Sequence, residues 1–295
     1  MRFIYSIYGL SIGLPFQCPG LAEAASGEVP DITVEEGDVP RQLEKVITEE
    51  GYWQIGPGKF LLRGGLRSGR FLVENGARIT LQKNPAAEEE RLAVHFLSSV
   101  LAVLLQQRGM LVLHANAAVI PRGAVVIAGL SGAGKTTTLA SLVARGFPML
   151  ADDITVLGLG AGGRVEVLPG APHLHLCQET ADELGYDISD VPRYPWRRMK
   201  ASVPVKGLMA TSPTQLGGIY LLSTEQSGEV TVEMMTGTDK FIALQQCFYG
   251  PLIPPDQCAL FTVHSAVLEQ TPVYRLRRPE AGWSVNDVVE AILNG

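Results

Sequence analysis

The sequence predicts an α/β protein in which a nucleotide-binding domain with a mixed sheet (residues 85–295) follows a smaller β-rich domain (residues 1–84). Three observations support this. Short apolar runs alternate with turn residues through the first part of the chain. A glycine-rich motif at residues 129–136 stands between an apolar strand and a helix. Two adjacent acids, Asp152 and Asp153, come at the end of the next apolar strand.

Composition limits the class of protein. With 46% hydrophobic and 18% charged residues, the chain of 295 residues is globular and not disordered. A formal charge of −6 argues against a nucleic-acid binder, which usually has a basic face. No run reaches the roughly 18 apolar residues of a membrane span. We therefore expect neither nucleic acid nor membrane among the partners.

The cysteines and the N-terminal stretch bear on the compartment. Cysteines stand at positions 18, 177, 247 and 258, a spacing that fits no metal clamp and no short disulfide framework. Polar residues and glycines interrupt the apolar stretch near the N-terminus, which makes it a poor secretion signal. We expect reduced thiols and a cytoplasmic protein.

The first 84 residues are typical of strands and hairpins, because Gly, Pro, Asn or Asp bounds each alternating run. They indicate an accessory or recognition domain. Residues 86–109 then predict a helix that begins with acidic residues and ends at Arg108-Gly109. Apolar residues cover most of its sides, so it is expected to be buried, with His95 packed in the core.

Two apolar strands joined by a short turn come next, in LVLHANAAVI-PRG-AVVIAG. If Arg122 is the centre of the turn, His114 faces Leu130 and lies beside the glycine-rich motif. The alternative is a histidine that is hydrogen-bonded within the sheet. We expect His114 to contribute to the site.

The motif GLSGAGKT matches the Walker A pattern G-x-x-x-x-G-K-[ST] at every fixed position. Its glycines allow successive N–H groups to point at phosphates, helped by the N-terminus of the following helix. Lys135 would reach the β- and γ-phosphates, and the hydroxyl of Thr136 would bind Mg²⁺. We therefore expect ATP and Mg²⁺ as cofactors. The predicted nucleotide contacts are Gly129, Ser131, Gly132, Ala133, Gly134, Lys135, Thr136 and Thr137.

A second hairpin brings the aspartates to the same place. FPMLADDITVLGL predicts a strand, GAGG a turn and RVEVLPG the returning strand. Folding about residue 161 or 162 returns Pro169-Gly170 to Asp153, so three loops converge. One aspartate would hold magnesium, and the other could accept a proton from an attacking hydroxyl. The alternative is that the second aspartate only caps a turn.

Three further segments carry weaker signals. HLHLC could place His173, His175 and Cys177 on one face of a strand for zinc, but no fourth ligand with matching spacing is visible, and an ordinary half-buried strand is favoured. The basic run RYPWRRMK is either a solvated loop or a clamp for phosphate or an acidic acceptor. Near the C-terminus we expect a strand, a turn and a helix from about Ser284. The basic residues in question are Arg193, Arg197, Arg198 and Lys200 in the run, and Arg275, Arg277 and Arg278 along a predicted sheet edge.

The order of these elements resembles the HPr kinase/phosphorylase family. A histidine-bearing strand, a hairpin, a Walker A loop, a short helix and an aspartate pair follow one another over about residues 87–176. The opening YSIYGLSIGLPF and the later PVYRLRRP are similar to divergent HPr-kinase-like proteins of peptide-tailoring gene clusters. Some of that subgroup are lasso peptide kinases, which phosphorylate a serine of the precursor peptide.

The resemblance implies an HPr-kinase-type domain in which the loop holds ATP, Asp152 is the general base and Asp153 contacts magnesium. It also places His114 beside the γ-phosphate, and Lys200 where the subgroup tends to have a basic residue. The family assembles as hexamers, which implies a homo-oligomer, although no periodicity here marks an interface. The family's second, glycine-rich signature is not recognisable, and PGAPHLHLCQETADELG stands in its place. This argues against HPr as the acceptor and against the reverse, phosphate-driven reaction.

The sequence thus favours a kinase that transfers the γ-phosphate of ATP to a serine hydroxyl of a peptide or small protein, with a lasso-type precursor as the preferred acceptor. One alternative is an enzyme of the same class that acts on HPr or on a small-molecule alcohol. Another is a nucleotide-binding regulator that transfers nothing.

Overall fold

The computed structural model describes residues 3–25, 27–193, 200–226, 228–251 and 258–295. The chain divides into two compact units. The first comprises residues 1–112 and 249–262, and the second comprises residues 113–248 and 263–295. The division along the chain therefore differs from the expected boundary at residue 84.

The first unit is built on a sheet in the order β3-β1-β2-β4-β9-β8-β7-β6-β5. Neighbouring strands are antiparallel, except for the parallel pairs β2/β4 and β4/β9. The strand-and-turn pattern predicted for this part of the chain is confirmed. The strands are β1 (Phe3–Ile7), β2 (Leu10–Leu14), β3 (Ala22–Glu23), β4 (Ile32–Glu36), β5 (Thr48–Glu50), β6 (Trp53–Gly56), β7 (Lys59–Arg63), β8 (Gly69–Glu74) and β9 (Arg78–Lys83).

A long helix completes the first unit. It consists of α1 (Glu89–His95), a π-helical turn (Phe96–Val100) and α2 (Leu101–Gln107), and it is largely buried, as predicted. Gln107 Nε2 donates to the carbonyl of Gly58 at 3.3 Å, and Arg108 donates to that of Gly76 at 2.9 Å. Because these bonds tie the helix end to turns of the sheet, the helix belongs to the first unit and not to the unit that carries the Walker A motif.

The second unit has a mixed sheet in the order β14-β15-β18-β12-β11-β13, and β20 and β19 continue it from β18. The pairs β12/β18 and β18/β20 are parallel. The predicted mixed α/β architecture is confirmed. β10 (Leu111–Leu113) lies where the chain passes from the first unit to the second, and β16 (His173–Leu176) and β17 (Ala201–Pro204) form a separate two-stranded sheet. The other strands are β11 (Ala115–Ile120), β12 (Gly123–Gly129), β13 (Met149–Ala151), β14 (Thr155–Leu159), β15 (Val165–Leu168), β18 (Thr214–Glu225), β19 (Thr231–Met235) and β20 (Val273–Pro279).

Three helices of the second unit, at residues 135–144, 178–184 and 285–294, contribute buried residues to one apolar core. Leu139 and Leu142 of the helix after the Walker A motif, and Val289 and Ile292 of the last helix, are among its fully buried members. Among the described residues, no helix is long and apolar enough to span a lipid bilayer. The helices are α3 (Lys135–Ala144), α4 (Gln178–Leu184), α5 (Gly237–Gln245), α6 (Cys258–Gln270) and α7 (Val285–Asn294).

The two predicted hairpins form, and one has a different register. In the first, Ile120 pairs with Gly123, so the turn holds only two residues and position 114 is level with Gly129 instead of Leu130. Neither turn residue, Pro121 or Arg122, has a positive φ, and Gly123 at the end of the turn takes a φ of +116°. In the second hairpin, Val156 pairs with Leu168, which confirms a fold about residue 162.

Two further expectations need correction. The strand predicted through the aspartate pair is interrupted there, because Asp153 has a φ of +66°, which no extended strand adopts. The C-terminal strand and helix form as predicted, but β20 lies between β18 and β19. Its arginines therefore do not lie along a sheet edge.

Leu139→Ala should lower the free energy of unfolding by about 2–5 kcal/mol, because the side chain is fully buried and its loss leaves a cavity. Urea titration measures the change. Leu159→Ala is the matched control, since that leucine is 40% exposed and should lose far less. Equal losses for the two variants would contradict the packing described here.

Candidate functional site

The phosphate loop, residues 129–136, connects β12 to α3, and its backbone requires glycine at two places. Gly129 has a φ of +147°, and an added Cβ would lie 2.3 Å from the carbonyl oxygen of Leu222 on the neighbouring strand. Gly134 precedes α3 with a φ of +107°. Because both positions exclude ordinary side chains, the loop can curl tightly and direct its N–H groups toward an anion.

Lys135 is buried at the mouth of the loop, with 7% of its surface exposed. Its Nζ donates to the carbonyls of Gly129 at 2.8 Å and Leu130 at 3.3 Å. Burial lowers the pKa of Lys135, while the nearby charge of Asp153 opposes that shift. Backbone oxygens therefore hold the ammonium group against the loop.

Asp152 is the most constrained acid of the site. Its side chain is 0% exposed. One carboxylate oxygen accepts a bond from the Thr136 hydroxyl at 3.3 Å, and the other accepts two from His175, from the backbone N–H at 2.7 Å and from ring Nδ1 at 2.9 Å. Burial alone would raise the pKa of Asp152, but the bonds and charge of His175 outweigh it and the pKa is lowered. The carboxylate is ionised at neutral pH.

Hydrogen bonds to its backbone N–H and carbonyl hold Asp153 in place. Its N–H donates to Asn116 Oδ1 at 2.9 Å, and its carbonyl accepts a bond from His114 Nδ1 at 3.0 Å. These bonds support the left-handed backbone at this residue. The carboxylate remains 24% exposed, so it can meet a molecule that enters from solvent.

Asn116 was not recognised in the sequence as a site residue. It is fully buried, and Nδ2 donates to the Thr136 hydroxyl at 3.4 Å while Oδ1 holds the backbone of Asp153. One amide therefore links the phosphate loop to the aspartate pair. A polar residue inside the apolar strand ANAAVI is the signal that could have revealed it.

Two further basic residues, His114 and Lys200, interact electrostatically with Lys135 or with each other. Burial, followed by the charge of Lys135, lowers the pKa of His114, so the ring is neutral near pH 7. The charge of Lys200 also contributes to the lowered pKa of His114 and of Lys135.

Asp152, Asp153 and His175 bring ligand atoms within 4.8 Å of one another. The two carboxylates, and the Thr136 hydroxyl bonded to Asp152, offer the oxygen ligands that Mg²⁺ prefers. Across the described ranges, His173 and Cys177 belong to no such group. His175 therefore approaches the aspartates and does not form the zinc cluster considered from the pattern HLHLC.

Other predicted contacts have separate places in the structure. Ser131 and Gly132 are exposed on the phosphate loop, and Ala133 is buried. The Thr137 hydroxyl pairs with that of Thr180 in α4 at 2.8 Å. Arg193 donates to Gln178, whereas Arg197 and Arg198 of the predicted basic clamp lie outside the described residues.

Arg278 lies against the phosphate loop, although the sequence predicted a position along a sheet edge. Its Nε donates to the carbonyl of Ala133 at 2.9 Å. Arg278 lies near the carboxyl end of β20. This is the end of the sheet at which β12 continues into the loop. The sequence does not show that β12 and β20 both run parallel to β18, so it could not predict that Arg278 reaches the loop.

Comparison with known proteins adds little to this geometry. No family model matches the chain, and no curated protein matches it. Among solved structures, the chain is similar to the Hpr(Ser) kinase/phosphatase from Coxiella burnetii, with 13% identity and a TM-score of 0.33. The match covers 62% of this chain and 91% of that one. A likeness at this level carries no conclusion about fold or activity.

Asn116→Ala should destabilise the protein by about 1–3 kcal/mol, because the N–H of Asp153 and the Thr136 hydroxyl lose a buried partner. Urea titration of the free energy of unfolding tests this. Asn294→Ala is the control, since Asn294 is exposed at the end of α7. A variant at position 116 as stable as the wild type would exclude the linking role of this amide.

Proposed function

We propose that the protein is an ATP- and Mg²⁺-dependent kinase that transfers the γ-phosphate to a serine hydroxyl of a peptide or small protein. One observation carries the proposal. The hydroxyl of Thr136 in the phosphate loop is bonded to an aspartate whose side chain is fully buried, and a second aspartate with a partly exposed side chain follows it directly. A metal position and a candidate base are thus adjacent, as phosphoryl transfer requires.

The two aspartates suit different tasks. The Asp152 side chain contacts Thr136 and has no exposed surface, so it fits the metal side of the site and not the contact with an incoming acceptor. Asp153 is the more exposed of the pair and fits the general base. This assignment reverses the one implied by the family resemblance. Mg²⁺ held near Thr136 and Asp152 would neutralise charge on the β- and γ-phosphates.

In the proposed reaction, Asp153 accepts the proton of the serine hydroxyl as the serine oxygen bonds to the γ-phosphorus. The bond from that phosphorus to the bridging oxygen breaks, and ADP leaves with the electron pair. Lys135 and Lys200 place positive charge beside the transferring group, and neutral His114 lies close to both. Little covalent chemistry is asked of the protein, because positioning and charge supply most of the catalysis.

The acceptor is proposed from the sequence. The segments YSIYGLSIGLPF and PVYRLRRP resemble those of lasso peptide kinases, and the second signature associated with HPr is not recognisable. A lasso-type precursor is therefore the first acceptor to test. HPr and small alcohols are the comparison acceptors in the same assay.

The central test follows transfer of label from [γ-³²P]ATP to a serine-containing precursor peptide, with a serine-to-alanine peptide as the blank. Asp153→Asn should reduce the transfer rate by roughly 10²–10⁴-fold, because the base is lost, and should leave binding of MgATP within a few-fold of the wild type. Asp182→Asn, an exposed change on α4, is the control and should retain full activity.

The companion variants separate the two aspartates. Lys135→Ala should abolish transfer and weaken ATP binding, and Asp152→Asn should raise the magnesium concentration needed for half-maximal rate. If Asp153→Asn transfers phosphate at the wild-type rate while Asp152→Asn is inactive with normal magnesium dependence, Asp152 is the base. If the wild type binds MgATP but labels no acceptor, the kinase proposal fails.

A further inference from the structure

Two neighbouring arginines on β20 have opposite surroundings. Along a strand, alternate residues face the same side. Tyr274 and Leu276 belong to the core that contains α3 and α7, and Arg278 follows on their side of the strand. Arg277 faces the other way, where it forms ion pairs with Glu225 at 2.9 Å and Glu233 at 3.1 Å. Its charge is therefore already compensated.

The guanidinium of Arg278 is held only by neutral acceptors. It is partly buried, with Nε donating to the carbonyl of Ala133 at 2.9 Å and one terminal nitrogen donating to that of Pro279 at 2.8 Å. A Cβ added to Gly134 would lie 3.3 Å from Nε and 3.6 Å from the other terminal nitrogen. In the described part of the chain, no carboxylate pairs with this arginine.

A half-buried guanidinium without a counter-charge favours an anion at its side. α3 begins directly after Gly134, and the N-terminus of a helix also favours an anion. Arg278 can act in two ways at the phosphate loop. It fixes the loop through the Ala133 carbonyl, and it adds a full positive charge next to the turn at Gly134.

We infer that Arg278 is a nucleotide-binding residue, which orders the phosphate loop and stabilises the polyphosphate of ATP. The inference rests on the proposed nucleotide-binding function and adds to it a residue remote in sequence from the Walker A motif. ATP and ADP both carry the diphosphate charge that Arg278 would contact. The affinities for the two nucleotides should therefore depend on Arg278 to the same extent.

Isothermal titration of the full chain with MgATP and MgADP tests the inference. Arg278→Gln keeps a side-chain donor but removes the charge, and should weaken both ligands on the order of ten- to a hundred-fold. Arg278→Lys keeps the charge without the fork of donors, and should bind more tightly than the glutamine variant but less tightly than the wild type. Arg277→Gln is the matched control on the same strand, and its affinity should stay within about two-fold of the wild type, because Arg277 faces away from the loop.

Salt dependence separates a charge contact from a structural effect. Without the charge, the affinity of Arg278→Gln for MgATP should fall less steeply with added salt than that of the wild type. Affinity of Arg278→Gln equal to that of the wild type, an equal loss in Arg277→Gln, or an unchanged salt dependence would each overturn the inference and leave the proposed kinase intact. If the wild type binds neither nucleotide, the proposed function fails and the inference fails with it.

Discussion

A charged carboxylate without access to water organises the candidate site. An ion of this kind costs several kcal/mol unless donors surround it. Asp152 meets that requirement with the Thr136 hydroxyl and with the backbone and ring of His175. Since these donors come from α3 and β16, keeping Asp152 ionised fixes the phosphate loop and the β16 segment relative to the end of β13. The backbone of the partly exposed neighbour, Asp153, is bonded to Asn116 and His114.

The parallel strands decide what else reaches that place. The carboxyl ends of β12, β18 and β20 meet at one edge of the sheet, so segments distant in sequence become neighbours. At this edge β12 continues into the phosphate loop, and β20 delivers Arg278 to Ala133. Strand alternation then separates Arg278 from Arg277, which turns to its acidic partners on the other side. The alternation of side chains along β20 thus gives two adjacent arginines different partners.

Local features were predictable, and features that depend on distant partners were not. Walker A spacing, the hairpin centred on residue 162 and the C-terminal helix all follow from neighbouring residues. The register of the first hairpin differs by one residue, since a two-residue turn replaces the predicted one centred on Arg122. The long helix joins the first unit because its end bonds to turns far earlier in the chain, a connection that helical periodicity cannot show.

By itself, the sequence determined that a glycine-rich loop follows an apolar strand and that an aspartate pair follows the next one, because both depend on short spacing. Only the tertiary structure decided which aspartate is buried, that His175 and Asn116 hold the pair, and that Arg278 lies against the loop. The physical reason is that burial and hydrogen-bond partners depend on packing between elements far apart along the chain.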